Sequence, residues 1–92
     1  MIEAIVLSPG DNIGVALMSL KSGANVKIYG QESWVKIIDP IPYQHKFSAT
    51  PIDAGMEIIK DGVVIGKASR NIRQGQHVHI HNMAGLRLKS AA

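Results

Sequence analysis

No cysteine occurs in the 92 residues. That removes disulfides and thiolate zinc sites, and it is the usage expected in a reducing compartment. Aromatics are nearly missing too: Trp34, Tyr29, Tyr43 and Phe47 are the complete set, so the core has to be aliphatic. No apolar run approaches the roughly 20 residues that cross a bilayer. The opening stretch, Met1 to Leu7, carries an acid at Glu3 and is too short for a signal peptide. A soluble, cytoplasmic chain with no membrane partner is the expectation. The seven acids are scattered, and no motif pairs them. Neither a Ser-His-Asp spacing nor a phosphate-cradling glycine loop is present. The net charge is +3, but the basic residues are spread from Lys21 to Lys89 without interleaved aromatics, so nucleic acid is not an expected partner. An amphipathic pattern ten residues long is also lacking, which argues against helix.

What the chain does have is short apolar stretches between turn signals. Residues 2–7 read as a strand that ends at Ser8-Pro9-Gly10-Asp11-Asn12. Ile13 to Met18 is apolar and short, either a buried strand or a brief helix, and periodicity alone does not separate these. Residues 33–38, 45–49, 56–60 and 63–65 read as further strands, the last two joined by the hairpin signal Asp61-Gly62. Asp39-Pro40-Ile41-Pro42 excludes helix and marks an edge or a connection. One pattern recurs: Leu20-x-x-Gly23-x-x-Val26, Ile52-x-x-Gly55-x-x-Ile58 and Ile72-x-x-Gly75-x-x-Val78. An apolar anchor, two polar residues and a glycine at positive φ describe a repeated turn into a strand. The unequal spacing excludes a solenoid and fits a pseudo-symmetric, duplicated β unit. The expected fold is therefore all-β: one small domain over 1–92, a compact irregular barrel or clip with at most one or two helical turns, and a loose tail over 87–92.

The stretch Gln76-His77-Val78-His79-Ile80-His81-Asn82 carries the chemistry. Side chains on a strand alternate faces. A strand here would send Val78 and Ile80 one way and His77, His79 and His81 the other, with successive imidazoles roughly 7 Å apart. A core needs no such row. Imidazole is a common metal ligand and titrates near neutrality. The outer pair, about 13 Å apart by strand rise, cannot share an ion, so at most two of the three serve as ligands or acid–base groups.

Residues 62–82 resemble the small N-terminal domain of the altronate and galactarate dehydratases. That domain is of the SAF type, a β-clip fold shared with antifreeze-like and sialic-acid-synthase domains. The resemblance rests on an Asp-Gly turn, Ile65-Gly66-x-Ala68, Ile72-x-x-Gly75 and His77-Val78-His79-x-His81-Asn82. Two more blocks agree. Asp11-Asn12-Ile13-Gly14-Val15-Ala16 resembles the family's Asp-Asn-Val-x-Val-Ala. His45-Lys46-Phe47-Ser48-Ala49 resembles its Gly-His-Lys-Phe-Ala, with Gln44 where the family has glycine. The resemblance spans about residues 10–86.

The resemblance implies a lyase component: the small subunit or N-terminal domain of a sugar-acid dehydratase, inactive alone and completing a site held mainly by a large catalytic subunit or domain. The small subunit of a sulfolactate-type carbon–sulfur lyase and a non-catalytic assembly module are the alternatives. Dehydration removes a proton beside a carboxylate and expels the neighbouring hydroxyl, and a divalent metal, with iron the usual suggestion for the family, can neutralise the charge that develops. His77, His79 and His81 are the candidate catalytic residues, with His77 and His79 as candidate metal ligands. His45 and Lys46 are candidates for holding a substrate carboxylate. Asn82 either hydrogen-bonds a substrate hydroxyl or caps the strand end.

Overall fold

The computed structural model describes residues 1–85, which form strands and turns without a helix. The expected loose tail over 87–92 lies outside the described residues. Nine strands occur in chain order: β1 (Ala4–Ile5), β2 (Ile13–Ala16), β3 (Asn25–Tyr29), β4 (Ser33–Lys36), β5 (Lys46–Ser48), β6 (Glu57–Lys60), β7 (Val63–Ala68), β8 (His77–Val78) and β9 (Met83–Gly85). They make a six-stranded sheet in the order β4-β3-β1-β2-β5-β8 and a three-stranded sheet in the order β6-β7-β9. All neighbours pair antiparallel except β1 and β3. This is the expected all-β architecture, a curled arrangement of short strands consistent with a small β-clip domain. Ile13–Ala16 is a strand, not a brief helix. No helix among the described residues is long and apolar enough to cross a membrane.

The recurring Gly motif is one turn made repeatedly. The glycines Gly23, Gly55 and Gly75 all take φ between 88° and 90°. Each turn closes on a main-chain bond three residues long: Ala24 N–H to Lys21 O, Met56 N–H to Asp53 O, and Gln76 N–H to Arg73 O, at 3.0–3.1 Å. Isolated bridges tie the apolar anchors, Leu20 to Ile41 and Ile52 to Ile72. The first bridge uncovers a fourth copy, Ile41-x-x-Gln44-x-x-Phe47, closed by His45 N–H to Pro42 O at 3.0 Å. The third residue of that turn is Gln44, at φ 70°. Without a glycine, this copy does not show in the sequence pattern.

Two aliphatic cores form. One gathers Val26, Ile28, Val35, Ile37, Ile41 and Phe47 with smaller residues; the other gathers Ile13, Ile52, Ile58, Ile72, Val78 and Ala68. The β2-β5-β8 end of the large sheet has apolar packing on both faces, because Phe47 enters the first core while Ile13 and Val78 enter the second. Phe47 is the one aromatic that is buried; Trp34, Tyr29 and Tyr43 are all more than half exposed. Trp34, the single tryptophan, is not in the core.

The second sheet is fastened to the first by Asp11 and Asn12. Asp11 is only 6% exposed. Its carboxylate accepts the N–H groups of Ser8 (3.0 Å), Asp61 (2.7 Å) and Gly62 (2.9 Å). The last two belong to the Asp61-Gly62 hairpin turn between β6 and β7. Burial alone would raise this carboxyl, but the donated backbone bonds outweigh it and hold it below the ordinary carboxylate range. Asn12 then behaves as a one-residue strand along β6. Its Oδ1 accepts Ile59 N–H at 2.8 Å, its Nδ2 donates to Glu57 O at 2.9 Å, and its own N–H donates to Ile59 O at 3.3 Å.

Replacing Asp11 with Ala leaves three backbone donors without their acceptor, and urea unfolding should show a loss of about 2–3 kcal/mol. Because the folded carboxyl titrates below its unfolded value near 3.9, its contribution is complete above that value and fades as pH falls through the folded pKa. Asp11→Asn should flatten that acid limb. Gly75→Ala should cost roughly 2 kcal/mol, since the turn needs positive φ and an added methyl would meet the Lys36 carbonyl; a melting temperature equal to that of the parent chain would contradict this account.

Candidate histidine site

The expected seven-residue strand is not formed. β8 stops after His77 and Val78, and residues 79–82 turn. Ile80, expected on the core face with Val78, is 82% exposed. The cause is Asn82. Its Oδ1 accepts His79 N–H at 3.0 Å and its Nδ2 donates to His77 O at 2.8 Å, while Asn82 N–H and Met83 N–H both donate to His79 O. The chain folds back over its own carboxamide before an extended run can continue. Asn82 is 3% exposed, so of its two expected uses the structure displays the cap. The reversal then feeds β9, a strand that the patternless Met83-Ala84-Gly85 does not announce and that pairs with β7.

Turning back converts the expected row into a cluster, and β5 completes it. The β5–β8 register sets Lys46 opposite Val78 and Phe47 opposite His77. One step further, His45 faces His79, and the two rings stack with centroids 5.5 Å apart and planes 14° apart. Across the diagonal, His45 Nδ1 and His77 Nε2 lie 2.9 Å apart, so one ring donates its N–H to the lone pair of the other. His77 stacks on His79 at 5.5 Å, and His81 lies 5.8 Å from His77 at a 37° tilt. All four histidines of the chain are thus in one group, with His45, just before β5, drawn in from 32 residues upstream of His77. In the sequence His45 stands apart from the other three; the β5–β8 ladder is what joins them.

The site is held from both sides. His77 N–H donates to Asp39 Oδ2 at 3.0 Å, which fastens the free edge of β8 to the Asp39-Pro40 connection. Buried Ser48 donates its hydroxyl to Arg73 O and accepts Gln76 N–H, anchoring the chain just before His77. Lys46 is half-buried between Val15 and Val78 on the ladder, on the opposite face from Phe47 and His77. It is not brought into the imidazole group.

Half-burial of His77 lowers its pKa, and the neighbouring His45, His79 and His81 lower it further, with Asp39 opposing. At neutral pH its ring is therefore neutral, with Nε2 engaged in the His45 hydrogen bond. Whether the group fits a metal can be judged from its donors. The facing nitrogens of His45 and His77 are already engaged with each other, and His79 stacks face to face on both rings. Among the described residues no three His, Cys, Asp or Glu side chains are grouped to hold an ion. The cluster does not fit a metal site by itself; imidazoles so placed can exchange protons and hydrogen-bond.

The family model for the altronate/galactarate dehydratase SAF domain matches residues 2–86. The chain is 40% identical over 72 residues to an altronate dehydratase of Escherichia coli (strain K12) and 38% identical over 72 residues to one of Bacillus subtilis (strain 168), in each case 78% of this chain and 14% of the relative. It is 40% identical over 48 residues to the (2R)-sulfolactate sulfo-lyase subunit alpha of Chromohalobacter salexigens, 52% of this chain and 51% of that relative. The chain thus spans about one seventh of the altronate dehydratases it matches and about half of the sulfo-lyase subunit.

Because the folded pKa of His77 lies below the ordinary histidine value near 6.5, the unfolded chain binds more protons in that window, and stability should fall as pH drops below about 6.5. Urea unfolding from pH 7.5 to 5 should show this slope, and His77→Gln should reduce it. An unaltered slope in the variant would place the titration elsewhere.

Proposed function

The chain belongs to the altronate/galactarate dehydratase SAF domain family, and on that premise we propose that it is the small subunit or N-terminal domain of a sugar-acid dehydratase, completing an active site held mainly by a large catalytic partner. The observation that carries this reading is the gathering of His45, His77, His79 and His81 on one rim, braced by Asp39 and Asn82. Such bracing serves groups that have to be held in register for chemistry. The small share of the dehydratases' length that the chain covers supports a partner that supplies the rest.

In this reading the substrate's carboxylate and hydroxyls meet the imidazoles at the rim. His77, neutral at working pH with its Nε2–H donated to His45 Nδ1, takes the proton from the carbon beside the carboxylate on Nδ1 and passes its Nε2 proton to His45. His79 or His81, more exposed, gives a proton to the departing hydroxyl, which leaves as water. His45 also orients the substrate, and Lys46 adds positive potential at longer range. Asn82 keeps the turn in shape. A divalent ion at this face takes its ligands mainly from the partner, and no step above depends on one. The work is cytoplasmic. The match to a sulfo-lyase subunit alpha favours a second reading, in which the same rim serves a carbon–sulfur lyase. A non-catalytic assembly role is the outcome if the histidines prove dispensable.

The complex recovered with this chain from its native host should turn over altronate or galactarate, or sulfolactate under the second reading, and the isolated chain none of them. His77→Ala and His79→Ala should each lower kcat by about 10²-fold or more with the complex intact. Unchanged turnover in the His77, His79 and His81 alanine variants would leave only the assembly role.

A further inference from the structure

The chain makes one turn four times, and only once does it use a residue that the backbone disfavours. At the third position Gly23, Gly55 and Gly75 sit at φ 88–90°, where an L side chain is strained, and Gln44 takes the same place at φ 70°. A β-carbon there is crowded against its own backbone, and glycine is not. Nothing in the turn offsets that strain. The bonds that hold it are main-chain: Gln44 N–H to Ala16 O at 2.8 Å and His45 N–H to Pro42 O at 3.0 Å. Glycine would make both. The side chain itself is exposed and enters neither core.

This turn leads directly into the imidazole group, as the Gly75 turn does ahead of His77. Gln44 immediately precedes His45, whose ring is hydrogen-bonded to His77 and stacked on His79. The β5–β8 ladder begins two residues further on, at Lys46 opposite Val78, so Gln44 lies in the turn that leads into it. The strained residue is thus the chain neighbour of a ring in the imidazole group. Strain kept beside a site, where the other copies of the turn avoid it, points to use of the side chain.

We propose that Gln44 is a specificity-determining residue of the histidine site, its carboxamide hydrogen-bonding a hydroxyl of the bound polyhydroxy acid. The inference rests on the sugar-acid dehydratase reading. A carboxamide both donates and accepts, which suits a hydroxyl, and a site built to hydrogen-bond a hydroxyl discriminates strongly between acids that differ there.

The test is Gln44→Gly in the co-purified complex, assayed on altronate and galactarate. Glycine is the residue this backbone prefers, so the variant should melt at the same temperature or higher. The expected result is a fall of about tenfold in kcat/KM for the preferred acid, carried mainly by KM, and a smaller preference ratio between the two acids. Gln44→Asn, which tolerates this φ and keeps the carboxamide, should recover part of both. A Gln44→Gly complex with unchanged kcat/KM and an unchanged ratio overturns the role of Gln44 and leaves the dehydratase reading standing. A parent complex that dehydrates neither acid overturns both.

Discussion

A buried carboxylate with three backbone donors holds this domain's two sheets together. The smaller sheet has three strands, and a small sheet needs a packed face to persist in water. Asp11 binds the β6–β7 hairpin turn and Asn12 lies along β6 as if it were a strand. The second core, which includes Ile13 from the large sheet and Ile58 and Ala68 from the small one, closes only because this junction fixes where the hairpin sits. An acid followed by an amide suits such a junction. The acid takes N–H groups from a turn, and the amide satisfies both polarities along a strand edge.

That junction reaches the histidines through β7. β9 pairs with β7, and Ser69 N–H donates to Asn82 O, so the hairpin that Asp11 fixes also receives the reversal after His79. On the other side β8 is held by β5 and by Asp39. The imidazoles thus stand where the two sheets meet, and their geometry belongs to the assembled domain rather than to the local sequence. This is why residues far apart in the chain, His45 and His77, share a hydrogen bond.

What can be read in the sequence follows what is local. The Asp61-Gly62 hairpin and the three Gly turns depend on backbone conformations that a few residue types announce, and they stand where the motifs put them. The fourth turn is masked because Gln44 occupies the glycine's place. The row of His77, His79 and His81 is plain from composition and spacing, but strand alternation does not extend through exposed Ile80 as the pattern suggests. The signal against it is Asn82, a residue type that bonds neighbouring backbone and competes with extended structure. Strand β9 has no local signal at all, since Met83-Ala84-Gly85 is held by its partner β7. The inclusion of His45 in the group requires strand register, which short irregular strands specify only after packing.

The two residues that seal strand edges have a consequence for association. A vacant edge invites an incoming chain to extend the sheet by main-chain pairing. Here Asn12 fills the outer margin of β6, and the Asp39 carboxylate occupies the His77 N–H on β8. At these margins no foreign strand can be templated, including one from another copy of the chain. Whatever meets the imidazole rim must recognise it through side chains, so affinity there is set by shape and charge and not by generic backbone stickiness.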